Sequence, residues 1–176
     1  MLKILSRRIK DTTSFGLIKE VIYSYTTVKG QWLGMPIGNL TSQIFANIYM
    51  NELDRFIKHE LRIKAYLRYG DDFVVFEKNL EKLKYIRNVT VRFLNNELKL
   101  QINPKSDKIL KSPHGLKFLG LKIWGKGRTL NSRNQKRIKK KLNLANVSSY
   151  HGLVMKHENF RQIKRFNWIV YEKIVN

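Results

Sequence analysis

Two adjacent carboxylates, Asp71 and Asp72, are the residues of this sequence whose type and spacing point most directly to chemistry. Two acids this close repel each other unless a cation binds them or one of them takes a proton. Because both offer only oxygen ligands, a hard cation such as Mg²⁺ is the metal they would favour. The alternative is an ordinary surface turn in which Gly70 and Asp71 only reverse the chain. These residues alone leave both interpretations open.

β-favouring residues lie on both sides of the acid pair and predict the element that positions it. Ala65, Tyr66 and Leu67 precede the acids, and the apolar residues 73–76 follow them. This pattern predicts two short strands joined by a tight Gly-Asp-Asp turn. Such a hairpin would present both carboxylates at one end of a sheet.

The charge of the chain is unusually high for its size. The 176 residues contain 35 Lys and Arg against 13 Asp and Glu, which gives a formal net charge of +22. A charge of this sign and size favours a polyanionic partner, and nucleic acid is the first candidate. A general compositional bias toward Lys is the alternative, since it would raise the charge without any binding role.

Several classes of protein are excluded or disfavoured by the composition. The sequence has no cysteine, so disulfides and thiolate metal sites are excluded, which is compatible with the cytosol. No apolar run is long enough to span a bilayer. The first eight residues lack the apolar core of a signal peptide and are predicted to begin a helix.

Apolar periodicity predicts the elements around the hairpin. Helices are predicted over residues 2–10, 15–25 (with Leu17, Ile18, Val21 and Ile22 buried), 41–61, 79–98 and 158–175, with a basic helix after Asn131 and a break at Ser148, Ser149 and Gly152. Strands are predicted at 100–102 and 116–124, the second continuing into a hairpin at residues 125–127, and residues 26–38 are predicted to form a loop. This order indicates an α+β fold, an antiparallel sheet with helices on one face, followed by a helical region.

Two further segments have residue types suited to binding phosphates. In the loop 34–43, glycines would let the backbone approach a ligand in front of a helix N-terminus. An ordinary Gly/Pro loop capped by Thr41 or Ser42 is the alternative. Lys105, after the predicted strand 100–102, could neutralise or protonate a phosphate, whereas a solvated lysine is its alternative.

The C-terminal half offers candidate contacts to a nucleic acid. Phe118, Leu119 and Gly120 lie within a predicted strand, where core packing with a close approach at Gly120 is the simplest interpretation. The basic helix could follow a phosphate backbone or could be a solvated face; its candidate binding residues are Arg133, Lys136, Arg137 and Lys140. Tyr150, His151, His157 and Trp168 could stack on bases, with core packing as the alternative for each.

Taken in order, these motifs resemble those of the reverse transcriptase family. Residues 34–43 resemble its nucleotide-binding loop, Tyr69-Gly70-Asp71-Asp72 its Tyr-X-Asp-Asp hairpin, and residues 100–105 the motif that follows. Residues 115–120 resemble the primer grip, and the basic helices resemble a thumb. Ile37 to Gln43 are most similar to bacterial reverse transcriptases of diversity-generating retroelements, although many relatives have Gln at the position of Ile37.

The resemblance implies an RNA-directed DNA polymerase with two Mg²⁺ ions. Asp71 would be the main metal ligand of this chain, Asp72 a weaker one, and Lys105 a proton donor to pyrophosphate. The implied nucleotide-binding residues are Pro36, Ile37, Gly38, Gln43 and Tyr69, and the implied primer-grip residues are Phe118, Leu119 and Gly120. The implied partners are an RNA template, a DNA primer and deoxynucleotides in the bacterial cytoplasm, with no membrane involved.

The resemblance also predicts how the chain divides. Residues 1–130 would be a partial palm domain and residues 131–176 a helical, thumb-like region. The first palm strand of the family carries another metal-binding aspartate, but Asp11 lies between two predicted helices and no matching strand precedes Met1. We therefore expect residues outside this chain, in an accessory protein or an N-terminal half, to complete the two-ion site, and we expect the chain alone to be inactive.

Two other functions remain open at this point. A basic RNA-binding protein without catalysis would retain the same charge and the same palm and thumb surface. An RNA-directed RNA polymerase is the second alternative, because Gly-Asp-Asp turns are also found in that class.

Overall fold

The computed structural model describes residues 1–24 and 40–175. The chain divides into two compact units, Met1–Ser106 and Asp107–Asn176. The predicted loop 26–38 lies outside the described residues, as do Pro36, Ile37 and Gly38. Among the described residues, no helix combines the length and the apolar character needed to cross a membrane.

In its described residues, the first unit combines four helices with one antiparallel hairpin, in agreement with the predicted α+β class. Its helices are α1 (Leu2–Leu5), α2 (Thr12–Tyr23), α3 (Leu40–Arg55) and α4 (Leu80–Asn96), and α3 continues as a π-helical turn, Phe56–Glu60. Its strands are β1 (Tyr66–Tyr69) and β2 (Asp72–Val75), which pair with Tyr66 opposite Val75 and Tyr69 opposite Asp72. The predicted hairpin at Asp71 and Asp72 is thus present.

The core of the first unit packs α3 and α4 against one face of the hairpin. Phe56 stacks on Phe93 of α4, with ring centroids 4.1 Å apart. The buried residues of this core are Met50, Leu53, Phe56, Ile57, Ile63, Ile86, Leu94 and Leu98. Tyr66, Phe73 and Val75 pack against them from the hairpin. Because alternate residues of a strand face opposite sides, Arg68 lies on this same inner face.

The second unit is a three-stranded antiparallel sheet followed by three helices. The strands β3 (Leu116–Phe118), β4 (Leu121–Trp124) and β5 (Gly127–Leu130) pair in chain order. The helices are α5 (Ser132–Lys141), α6 (Val147–His157) and α7 (Phe160–Val170), and α7 continues as a π-helical turn, Tyr171–Val175. Their shared core consists of Leu130, Ile138, Leu142, Val154 and Phe166.

The compact units divide the chain at a different place from the predicted palm and thumb. Leu130 of β5 is fully buried together with residues of α5, α6 and α7. The apolar contacts of this strand therefore join the small sheet to the helices that follow it. The division into a palm at 1–130 and a thumb at 131–176 stays a prediction about function.

Two strand predictions differ from the structure. Residues 100–102 form no strand; the Leu100 N–H instead donates to the Leu94 carbonyl oxygen at 2.9 Å, and Leu100 packs against the core of the first unit. The predicted strand 116–124 is in fact two strands, because the chain reverses at Leu119 and Gly120. The apolar pattern indicates neither that residues 100–102 lack a partner strand among the described residues nor that a turn divides residues 116–124.

Four helix predictions also differ. The helix expected over 2–10 ends at Leu5, and on α2 Leu17 and Val21 are exposed rather than buried. The expected break at 148–152 lies inside α6, because Asn143 and Asn146 bond each other reciprocally and close a turn just before that helix. Asn159 caps α7, so the last helix begins at Phe160.

Candidate active site

A two-residue turn presents the acid pair at the end of the β1–β2 hairpin. Gly70 and Asp71 are its central residues, between the paired Tyr69 and Asp72. Gly70 has φ +61° and Asp71 has no positive φ, which is the pattern of a type II′ turn with glycine in first place. Both carboxylates are exposed, and neither forms an ion pair within the described part of the chain.

Arg68 connects this turn to helix α3. Its Nη1 atom donates to the Gly70 carbonyl oxygen at 2.8 Å and to Asn47 Oδ1 at 3.1 Å. Its Nε and Nη2 atoms donate to Asp54 Oδ1 and Oδ2 at 2.8 and 2.6 Å. Such a paired geometry fixes the guanidinium plane as well as its distance. One arginine therefore holds the backbone of the turn at a fixed position beside α3.

Asp54 is the carboxylate that Arg68 binds on α3, and the contacts of Asp54 lower its pKa. Burial opposes its charged form, but hydrogen bonds from Arg68 and from Tyr66 (2.7 Å to Oδ1), together with the Arg68 charge, outweigh it. The pKa of Asp54 therefore lies below its ordinary value. Burial, and then the bond to Asp54, raise the pKa of the Tyr66 hydroxyl well above its usual range.

The donor set of the turn fits part of a site for a hard cation. Asp71 and Asp72 offer exposed oxygens without a competing cation, whereas Asp54 is engaged by Arg68 and Tyr66. In the described ranges, no group of three or more His, Cys, Asp or Glu residues could hold a metal ion. Segment 25–39 contains none of these four residue types, so it cannot add such a ligand.

The structure places Tyr69 beside the acids, whereas Gln43 and Lys105 lie on other elements of the first unit. The Tyr69 side chain is 67% exposed and lies on the same hairpin face as Asp72, its cross-strand partner. Gln43 is exposed in the first turn of α3. Lys105 is exposed in a turn where its backbone N–H donates to Asn103 Oδ1 at 3.0 Å.

A second tight turn carries the residues predicted to form the primer grip. Leu119 and Gly120 have φ +49° and +80°, the pattern of a type I′ turn, and Phe118 is buried before them. The Gly120 carbonyl oxygen accepts from the Asn131 N–H at 2.9 Å and from Asn134 Nδ2 at 3.1 Å. The turn therefore lies against the start of α5, with Leu119 exposed.

The four basic residues predicted to bind nucleic acid share one side of α5. Positions 133, 136, 137 and 140 fall within a narrow arc of the helix, away from the buried Ile138. All four side chains are exposed, and none of them forms an ion pair among the residues that the structure describes. The helix presents an unneutralised cationic face.

The clamp formed by Asp54, Arg68 and Tyr66 was missed from the sequence. Asp54 falls within the predicted helix 41–61, for which the sequence indicates no role at the site. Two signals could have revealed it: Asp54 directly follows the core residue Leu53, and Arg68 alternates with Tyr66 on the inner face of β1. An acid and an arginine on facing inner surfaces predict an ion pair.

Comparisons with known proteins agree with the motifs. The family described as "Reverse transcriptase (RNA-dependent DNA polymerase)" matches residues 3–123. The chain is also similar to Protein YkfC of Escherichia coli (strain K12), with 26% identity over 160 residues, covering 70% of this chain. The match covers 42% of the length of YkfC, so the chain corresponds to less than half of that relative.

Proposed function

Because the chain belongs to the reverse transcriptase family, with the family match spanning residues 3–123, we propose that it contributes to Mg²⁺-dependent DNA synthesis on an RNA template. The observation that carries this proposal is the Gly70-Asp71 turn, which presents two exposed carboxylates free of protein cations. The similarity of residues 37–43 to diversity-generating retroelement enzymes favours that bacterial, cytoplasmic branch.

Asp71 would be the principal metal ligand of the chain, and Asp72 would be a weaker or outer one. Bound Mg²⁺ supplies charge stabilisation for the attacking 3′-hydroxyl and the leaving pyrophosphate. Arg68 fixes the turn through the Gly70 carbonyl oxygen, so the carboxylates are positioned before a cation arrives. Because Asp54 already balances the Arg68 charge, this arginine does not neutralise Asp71.

The other predicted residues would bind the nucleotide and the nucleic acid. Tyr69, Gln43 and the segment with Pro36, Ile37 and Gly38 would contact the incoming deoxynucleotide. Lys105 would donate a proton to the pyrophosphate. Phe118, Leu119 and Gly120 would hold the primer, and the cationic side of α5 would hold the template–primer duplex by phosphate contacts, with little sequence readout.

We further propose that these 176 residues need a carboxylate from another segment or chain. Two-ion chemistry uses carboxylates from more than one strand, whereas Asp71 and Asp72 are adjacent in one turn and Asp54 is held by Arg68. An N-terminal half or an accessory protein would supply the missing ligand. The chain alone would then bind nucleic acid without extending a primer.

The test is primer extension by the chain alone and after co-expression with the protein segment encoded upstream of it. We expect synthesis only in the second case, with deoxynucleotides rather than ribonucleotides. Asp71→Asn should lower that synthesis by roughly a thousandfold, because a lost metal ligand removes several kcal/mol of transition-state stabilisation. Glu60→Gln, which removes an exposed charge from the end of the π-helical turn after α3, is the matched control.

The alternatives give different results in the same assay. Sustained synthesis by the 176 residues alone would contradict the need for another carboxylate. Synthesis from ribonucleotides would indicate an RNA-directed RNA polymerase. Binding of RNA without synthesis in any combination would favour the non-catalytic RNA-binding function, which the net charge of +22 also supports.

A further inference from the structure

Helix α7 has an inner face that belongs to a core and an outer face that is exposed among the described residues. Phe166 is buried, and Ile163 and Ile169 pack around it in the core of the second unit. On the opposite side, Phe160 is 72% exposed and Trp168 63% exposed. Large exposed aromatic side chains grouped on one helix face usually indicate a binding surface.

Cationic side chains are interleaved with these aromatic rings. Lys164 Nζ lies 4.9 Å from the centroid of the Phe160 ring. Arg161 and Arg165 are exposed on neighbouring turns of α7. No acidic residue occurs within α7 itself, and residues 107–176 as a whole contain 17 Lys and Arg against 3 Asp and Glu. The partner of this face must therefore tolerate a strongly positive potential.

Trp168 and Tyr171 form the central part of the face. Their ring centroids are 6.2 Å apart with planes inclined by 34°, and Lys164 and Asn167 border the shallow, open surface beside them. Trp168 Nε1 donates to Glu172 Oε1 at 2.7 Å, which orients the indole while its ring face stays accessible. Glu172 forms no ion pair with a described cation of this face.

We propose that this outer face of α7, the α7 aromatic face (Phe160, Arg161, Lys164, Trp168 and Tyr171), binds an unpaired stretch of nucleic acid. Bases would stack on Trp168 and Tyr171, and Arg161 and Lys164 would contact the flanking phosphates. Aromatic platforms bordered by cations recognise single strands of any sequence, because every base has a π-face. In a duplex those faces are covered by neighbouring base pairs, so the rings would have little to bind.

The α7 aromatic face differs from the cationic side of α5, which has basic side chains but no exposed aromatic rings. It would hold a single strand, whereas α5 is proposed to hold a duplex. The site also needs no chemistry at Asp71, so it can be tested by binding alone. Failure of DNA synthesis and failure of strand binding are therefore distinguishable.

The test measures binding of the whole 176-residue chain to three probes by fluorescence anisotropy: a 12-nucleotide oligouridylate, a 12-nucleotide oligothymidylate and an RNA–DNA duplex of the same length. Trp168→Ala should weaken binding to the single strands about 5- to 100-fold, the range expected for one lost stacking contact. Binding to the duplex should change less than about twofold on the same grounds, because its bases are already stacked.

Three further variants make the result specific. Trp168→Phe keeps an aromatic ring and should retain most of the single-strand affinity. Tyr85→Ala removes a side chain that is 62% exposed on α4, close to the exposure of Trp168, and should leave single-strand affinity unchanged. Lys164→Gln should reduce the dependence of log affinity on log salt by about 0.7, the value for one phosphate contact on a single strand.

The two single-stranded probes also identify the source of the strand. A loss confined to oligouridylate assigns the face to RNA, and an equal loss on both probes assigns it to stacking on any unpaired strand; either result supports the proposal. Absence of single-strand binding, an unchanged affinity in Trp168→Ala, or an equal loss on the duplex would overturn it. Circular dichroism of each variant tests whether the protein is still folded, so that a loss of affinity is not mistaken for a loss of structure.

Discussion

The turn at Gly70 and the turn at Gly120 are built alike but held by different forces. Each joins two short antiparallel strands with two central residues, and in each a side-chain nitrogen binds the glycine carbonyl oxygen. At Gly70 the donor is the Arg68 guanidinium, itself paired with Asp54. At Gly120 the donor is the neutral amide of Asn134, supported by the N–H of Asn131.

The difference suits what each turn presents. The Gly70 turn presents carboxylates, and a clamp whose own charge is balanced by Asp54 leaves them available to an external cation. The Gly120 turn presents Leu119, an apolar side chain 48% exposed in a left-handed conformation. That conformation costs roughly 1–2 kcal/mol for a residue with a Cβ atom. The amide clamp and the start of α5 offset this cost without adding charge.

Removing the charged clamp should have the largest effect on stability. Arg68→Leu leaves Asp54 ionised and half-buried with only Tyr66 as donor, so we expect a loss of about 2–3 kcal/mol in the free energy of unfolding. Urea denaturation measures this loss, and Arg55→Leu, at an exposed arginine of α3, is the control. Adding Asp54→Leu should recover part of the loss, because the uncompensated charge is gone. A loss below about 0.5 kcal/mol, the range of neutral surface changes, would refute the clamp.

Replacing Gly70 or Gly120 by alanine should distinguish the cost of backbone strain from the cost of a steric contact in the free energy of unfolding. At Gly70 a Cβ atom meets nothing within 4 Å, so Gly70→Ala should cost about 1 kcal/mol from the positive φ alone. At Gly120 the Cβ atom would lie 2.5 Å from Asn134 Nδ2, so Gly120→Ala should cost about 2 kcal/mol. Denaturation of both variants measures the difference. Equal losses of unfolding free energy would show that the Asn134 amide moves away from the added Cβ atom at little cost. The double variant Gly120→Ala with Asn134→Ala, which lacks this contact, is the control.

Low pH should weaken the Arg68–Asp54 clamp at Gly70 but not the Asn134 amide clamp at Gly120. We expect this effect on the free energy of unfolding to be the smallest of the three predicted here. The pKa of Asp54 is lowered in the folded protein, so its contribution is complete above the unfolded value of about 3.9 and is lost as pH falls below it. The unfolding free energy of the wild type should therefore decline more steeply below about pH 4 than that of Asp54→Asn. Parallel pH profiles for the two proteins would count against the assignment. Asn134→Ala should follow the wild-type slope.

The sequence was sufficient for the hairpin that carries the candidate site. The run from Ala65 to Phe76 combines β-favouring residues with a Gly-Asp turn, and both signals are local. The basic helix and the Asn caps are also local patterns, which is why α5 lies where it was expected. The family resemblance, carried by short motifs in a fixed order, is likewise independent of tertiary structure.

What was missed depends on contacts between distant residues. Leu119 takes a positive φ only because Asn131 and Asn134 hold the turn, and no propensity predicts that for leucine. Residues 100–102 have a strand-like composition but find no partner strand in the described chain. The Asp54–Arg68 pair joins residues from a helix and a strand, so the pattern within each element indicates an inward-facing charge but not that the two charges meet.

Every strand pairing in the described residues joins strands that are consecutive in the chain, and this has a consequence for folding. Closing a hairpin as short as β1–β2 takes on the order of 1–10 μs, and local pairings avoid the entropy of closing long loops. The acid-bearing turn can thus form, open and re-form without waiting for a distant segment to arrive. Its pairing therefore does not depend on the arrival of a strand from a distant part of the chain.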